Sequence, residues 1–152
     1  MVDIIHRIGI KAPPARVYEA ITTIEGVAGW WTAETRGDAS LDGTVTVVFR
    51  QGDGQELGQM DFELAALVPN SRVVWRFVAG PPEWIGTEVT FDLSHDGVMT
   101  VLLFGHRGWH EAVEFTAHCS MKWAVFLLSL REMVEMGKGR PSPDDVKIDN
   151  WN

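Results

Sequence analysis

Cysteine is almost missing from this chain of 152 residues: Cys119 stands alone, so no disulfide can form within it. Basic residues are scarce as well. Thirteen Lys and Arg face twenty-one Asp and Glu, which leaves a formal net charge of −8. Phosphate recognition needs clustered Lys and Arg, so a nucleic-acid partner and an anionic membrane surface are both disfavoured. No apolar run reaches the length of a membrane span, because Lys122, Ser129, Arg131 and Glu132 interrupt the longest one; no membrane insertion is expected. The start, Met1 to Arg7, lacks the basic region and apolar stretch of a signal peptide. A reducing cytoplasm is the compartment these absences imply. A glycine-rich phosphate loop and a dinucleotide fingerprint are missing too. No nucleophile, base and orienting acid stand at a recognisable spacing. The residues therefore nominate no catalytic group, and neither a cofactor nor a metal is expected.

Aromatic side chains are abundant by contrast. Seven tryptophans and seven phenylalanines occur, and such rings bury large areas while losing few rotamers. Their positions follow a readable pattern. Residues 3–11 form a first strand, with Ile4 or Ile5, Ile8 and Ile10 turned inward. Pro13-Pro14 opens a helix, since a missing N–H costs nothing in a first turn. Val17, Ile21 and Ile24 continue it at helical spacing, Gly26 stops or kinks it, and a short helical turn carries Val27 to Trp31. From residue 44 the period becomes two. Val45, Val47 and Phe49 alternate with polar neighbours, as do Met60, Phe62 and Leu64, then Val73, Trp75 and Phe77, then Val89, Phe91 and Leu93. A last strand runs from Val98 to Phe104, after an Asp96-Gly97 turn that tolerates positive φ. Residues 111–137 read as one long helix with an apolar stripe at Phe115, Cys119, Trp123, Phe126, Leu127, Leu130, Met133 and Val134. Lys122, Arg131, Glu132, Glu135 and Lys138 fall on its polar side. Gly137 and Gly139 end it, and residues 140–152 form a short tail.

Consecutive strands joined by short turns pair as an antiparallel meander. The meander's apolar face needs a cover, and only the final helix, close to 40 Å long at about 1.5 Å per residue, is long enough. The expected class is α+β: a curved antiparallel β-sheet wrapped around a long C-terminal α-helix, with two short helices after the first strand. A strongly twisted sheet gripping such a helix leaves an apolar gap between them.

The run Ala12-Pro13-Pro14-Ala15-x-Val17-Tyr18-x-Ala20-Ile21-Thr22, the pair Trp30-Trp31, the segment His106-x-Gly108-Trp109 and the closing Gly137-Lys138-Gly139 resemble the START-like (SRPBCC) superfamily of helix-grip proteins. Within it the chain is similar to the group related to the C-terminal domain of the activator of heat-shock-protein-90 ATPase. The resemblance spans residues 3–139 and implies a single domain over 1–139. It also implies an apolar cavity of the kind used for lipids, hormones or polyketides, and in some branches for catalysis.

Candidate lining residues follow from this frame. Trp75, Trp84, Trp109 and Trp123 converge with Trp31 on the gap. Phe49 and Met60 from the strands and Cys119 from the helix stripe complete the apolar lining. His106 and His118 are its polar handles, His106 standing just past the end of the last strand and able to act near neutral pH. His110, Glu114 and His118 share a helix face, but two full turns are too far for one ion. Cys119, mid-stripe, reads as an inert buried thiol. The expected function is binding of a small hydrophobic or aromatic ligand. The alternatives are a cyclase, aromatase or hydrolase using the same cavity, and a protein-interaction domain such as a chaperone co-regulator. The assembly expected is a monomer or a homodimer.

Overall fold

The alternation of residues 44–104 becomes one sheet. In the computed structural model, which describes residues 1–152, the elements run β1 (Val2–Ile10), α1 (Pro14–Thr22), α2 (Ile24–Trp30), β2 (Glu34–Gly37), β3 (Thr44–Arg50), β4 (Glu56–Val68), β5 (Arg72–Ala79), β6 (Glu88–His95), β7 (Thr100–Trp109) and α3 (Glu114–Met136). The seven strands are antiparallel in the order β1-β7-β6-β5-β4-β3-β2. Strands 2 to 7 form the meander, and β1 closes it by pairing with β7. The inward positions are those the period of two selects: Val45, Val47, Phe62, Leu64, Val73, Trp75, Phe77, Val89, Phe91, Leu102 and Phe104 are all buried. Their outward neighbours form cross-strand ion pairs, Arg72 with Asp92 and Arg76 with Glu88. Such exposed pairs contribute little to stability. The long α3 covers the inner face, and Cys119, Trp123, Phe126, Leu127, Leu130 and Val134 of its stripe are buried, with Met133 partly buried beside them.

Several boundaries differ from expectation, each for a local reason. The break between the first two helices falls at Thr23, whose extended backbone and side chain cap α2 by accepting from the Gly26 N–H at 3.0 Å. Gly26 lies inside α2. A Cβ there would stand 2.6 Å from the Ala20 carbonyl oxygen, so this glycine permits close helix packing and does not end a helix. The last turn of α1 leaves carbonyls without helical partners. Two tryptophans satisfy them: Trp30 Nε1 donates to Ala20 O at 2.9 Å and Trp75 Nε1 to Ile21 O at 3.3 Å. The edge strand β2, Glu-Thr-Arg-Gly, carries no apolar alternation and is placed by its pairing with β3. Of the paired choice in β1, Ile4 is buried and Ile5 faces outward. The helix α3 starts three residues later than residue 111, where the Thr116 hydroxyl accepts from the Val113 N–H. It ends as expected on left-handed Gly137.

Two departures matter for the site. Strand β7 does not stop at Phe104 but continues to Trp109, pairing with both β1 and β6. His106 thus sits within a central strand, on the inward side shared with Leu102 and Phe104. Residues 140–152 also fold back along α3. Ser142 exchanges backbone hydrogen bonds with Trp31 and Ala33, and Asp145 is buried. Lys122, expected on the solvent side of α3, is buried beneath this tail and paired with Asp145.

Candidate functional site

Along one flank of α3 the grip does not close completely. A cavity of about 370 Å³ remains there, with walls from five parts of the chain. Helix α3 supplies Phe115, His118, Cys119, Lys122, Trp123 and Phe126. The end of α2 supplies Trp31, and β3 and β4 supply Phe49, Leu57, Gly58 and Met60. The β5–β6 loop supplies Pro81 and Trp84, and the tail Trp151 and Asn152. Ten of these fifteen residues are hydrophobic, so an occupant would be held chiefly by apolar burial. The volume lies toward the lower end of the roughly 300–1,000 Å³ of small-molecule sites.

The sheet wall is opened by a missing side chain. Gly58 pairs with Phe49 across β3 and β4, so both face the same side of the sheet. A Cβ at Gly58 would meet nothing within 4 Å. The other walls are stacked rings. Trp31 lies 5.1 Å from Trp123, 5.4 Å from Trp75 and 5.4 Å from Phe49, ring centre to ring centre. Trp84 lies 5.9 Å from Trp123 in a near-parallel stack.

Seven of the ten candidates read from the sequence, Trp31, Phe49, Met60, Trp84, His118, Cys119 and Trp123, meet around this cavity. The remaining three do not reach it. Trp75 is fully buried behind Trp31, packed on Phe62 at 4.3 Å. Trp109 is buried outside the lining, beside His106 and Phe115. His106 has no exposure at all. Both of its nitrogens are engaged: Trp123 Nε1 donates to Nδ1 at 3.1 Å, and Nε2 lies 2.8 Å from Thr87 Oγ1. An indole nitrogen can only donate, so Nδ1 must be the unprotonated acceptor. The proton is then on Nε2 and is given to Thr87, whose hydroxyl donates onward to Trp84 O at 2.6 Å. Burial pushes the imidazole pKa down to about 3. His106 is therefore a neutral structural link between sheet and helix, with no proton to exchange in the cavity.

His118 is differently placed. It lines the cavity, and its Nδ1 lies 2.7 Å from Asp149 of the tail. This hydrogen bond holds the Asp149 carboxyl below its ordinary range. His110 and Glu114 are exposed, and no three His, Cys, Asp or Glu side chains converge to hold a metal ion. Burial pushes the Cys119 thiol up to about 12, only partly opposed by the nearby Trp84 indole. That N–H reaches no acceptor with hydrogen-bond geometry. A thiol so held is not nucleophilic near neutral pH.

Sequence reasoning missed Leu57, Gly58, Pro81, Phe115, Phe126, Lys122, Trp151 and Asn152 as lining. Phe115 and Phe126 belonged to the stripe already read. Gly58 carried a signal as well, a glycine on the inward side of a strand. Nothing in the tail pointed to Trp151 and Asn152, because their contact with α3 is purely tertiary.

A seven-stranded antiparallel sheet gripping a long C-terminal helix beside an apolar cavity defines a helix-grip domain of the START-like superfamily. The chain belongs to the family described as activator of Hsp90 ATPase homolog 1-like protein, which it matches over residues 11–135. Among solved structures, it is 44% identical to the Aha1 dimer from Colwellia psychrerythraea, with a TM-score of 0.77 over 91% of this chain and 100% of that one. A protein from Chromobacterium violaceum is similar at 24% identity, with a TM-score of 0.73 over 89% of this chain and 99% of that one. CalU16 from Micromonospora echinospora is similar at 23% identity, with a TM-score of 0.67 over 93% and 77%. At these lower identities the likeness is one of fold. No curated protein sequence matches the chain. No helix is long and apolar enough to cross a membrane.

Proposed function

We propose that this protein binds a small hydrophobic or aromatic molecule in the cavity between α3, β3–β4 and the C-terminal tail. The observation that carries the reading is the glycine at position 58. A Cβ there would meet open space, so a side chain could begin to fill the gap, yet the strand leaves it open opposite a wall of stacked tryptophans. Ligand-free packing alone would favour closure, since voids forfeit dispersion contacts. The absence of a reactive thiol and the sequestration of His106 favour binding over catalysis.

Native mass spectrometry of gently purified protein, set against its denatured mass, tests the proposal. A reproducible non-covalent adduct is expected in the wild type and not in Gly58→Phe, whose ring would project into the cavity. Titration with methyl 2-naphthoate, a neutral aromatic probe, should quench tryptophan fluorescence in the wild type only. An absence of both adduct and quenching would sink the reading.

Self-association accompanies this proposal, supported by the dimeric state of the Colwellia relative. Sedimentation equilibrium at micromolar concentration should return twice the 17.0 kDa of one chain. A mass of one chain at every concentration would exclude the dimer.

A further inference from the structure

The polar groups of the cavity are all on one side. Strands β3 and β4 contribute apolar atoms and a glycine, whereas His118 and Lys122, one helical turn apart on α3, face the tail with Asn152. Lys122 is the unusual member. Its side chain is only 10% exposed, and its ammonium stands 5.1 Å from the centre of the Phe126 ring, itself a cavity wall. An ammonium carries three N–H donors. Two are spent outside the cavity, on the Asp145 carboxylate and on Val146 O at 2.8 Å. One remains.

The carboxylate that holds Lys122 is itself crowded with donors. Asp145 also accepts from Lys147 Nζ at 3.0 Å and from Asn152 Nδ2 at 3.4 Å. Lys122 and Lys147 thus share a single carboxylate, so Asp145 is not free to take up the third N–H of Lys122. The neighbouring His118 has its Nδ1 taken up by Asp149. A cationic ligand would meet the Lys122 ammonium unfavourably. A neutral hydrocarbon would leave the third N–H without an acceptor. A doubly charged headgroup such as a phosphate monoester would bring two charges to one spare donor, close to the carboxylates of Asp145 and Asp149.

We propose that the cavity's ligand is an amphipathic monoanion: an aromatic or otherwise apolar body between the tryptophan walls, with one carboxylate accepting the spare N–H of Lys122. This rests on the reading that the cavity binds a ligand, and it names the chemical class of that ligand. Asp145 is then a competitor as well as an anchor, since it holds Lys122 in place and draws off part of its charge.

The test compares 2-naphthoate with its neutral near-isostere 2-naphthamide, both titrated into the full chain and followed by calorimetry. The acid should bind about tenfold more tightly than the amide, as expected of a charge-assisted hydrogen bond in a largely apolar site. Lys122→Met should bring the ratio close to one. That variant strands Asp145, so Asp145→Asn provides an independent reading: it keeps the size and one oxygen for Lys122, turns its NH2 toward the half-exposed Lys147, removes the charge that competes for the ammonium and should raise the ratio several-fold more. If the amide binds the wild type as tightly as the acid, the ligand class is wrong and the cavity reading survives. If neither compound binds, both fall. If the acid is preferred but neither substitution changes the ratio, Lys122 is not the recognising group.

Discussion

Replacing Trp31 with alanine is expected to lower stability by about 3–5 kcal/mol, the usual range for deleting a buried tryptophan side chain. The residue is 1% exposed and is the hub of the aromatic core. It stacks on Trp30, Trp75 and Trp84 and makes edge or tilted contacts with Phe49, Phe62, Phe77 and Trp123. Neighbours on three sheet strands, two helices and a loop cannot all collapse into the space, so most of the void would persist. Against a total stability of roughly 5–15 kcal/mol the loss is severe. For a chain of this length it corresponds to a fall in melting temperature of about 10 °C or more. The void would also join the existing cavity, because Trp31 is one of its walls. Urea unfolding measures the loss directly. A cost below about 1 kcal/mol would mean that the ring is not packed as described.

The second large effect is on acid stability, and it comes from His106. In the unfolded chain its imidazole titrates at the ordinary value of 6.5, whereas in the fold burial holds it at about 3. The unfolded state therefore binds the proton first as pH falls. Stability from this group is complete above pH 6.5 and is lost progressively between 6.5 and about 3. At pH 5 the loss is about 2 kcal/mol, from 1.36 kcal/mol per unit of pH. Hydrogen bonding reinforces the desolvation. A proton on Nδ1 would point at the Trp123 N–H that now donates to it, placing two donors against each other. The wild type should lose this stability between pH 7 and pH 5. His106→Gln should be less stable at pH 7 but should lack that part of the slope. Equal wild-type stability at the two pH values would show that the folded imidazole titrates normally. Asp145 and Asp149 act in a lower range. Burial raises the Asp145 pKa, but the hydrogen bonds from Lys122 and Lys147 outweigh it and the net shift is downward, as it is for Asp149. Both carboxylates stay ionised until the pH falls below their ordinary 3.8, and the tail keeps its anchors until then.

His106 also shows why a site residue can be read wrongly from a sequence. Placed just beyond a strand, it looked like a polar handle at a cavity mouth. Pairing of β7 with both β1 and β6 extends the strand through Trp109, and the inward alternation then turns the imidazole into the core. Pairing partners decide where a strand ends, and the local pattern of Gly105-His106-Arg107-Gly108 gives no hint of them. Lys122 failed in the opposite sense. The stripe puts it on the polar side of α3, but that side is solvent-facing only where nothing covers it. Here the tail does, through Asp145. The tail itself, rich in Pro and Asp, has no periodicity to reveal where it packs.

Periodicity and composition by themselves determined the antiparallel meander, the two short helices, the long covering helix with its buried stripe, and the aromatic character of the interior. These follow from local rules: side chains alternate on a strand, recur every three to four residues on a helix, and glycine or proline breaks either pattern. Only the tertiary structure decided which tryptophans form solid core and which face a void, that His106 is locked between Thr87 and Trp123, and that Lys122 meets Asp145 beneath the tail. Each depends on distances between residues far apart in the chain. A cavity is space left by packing, and no single segment of sequence encodes it.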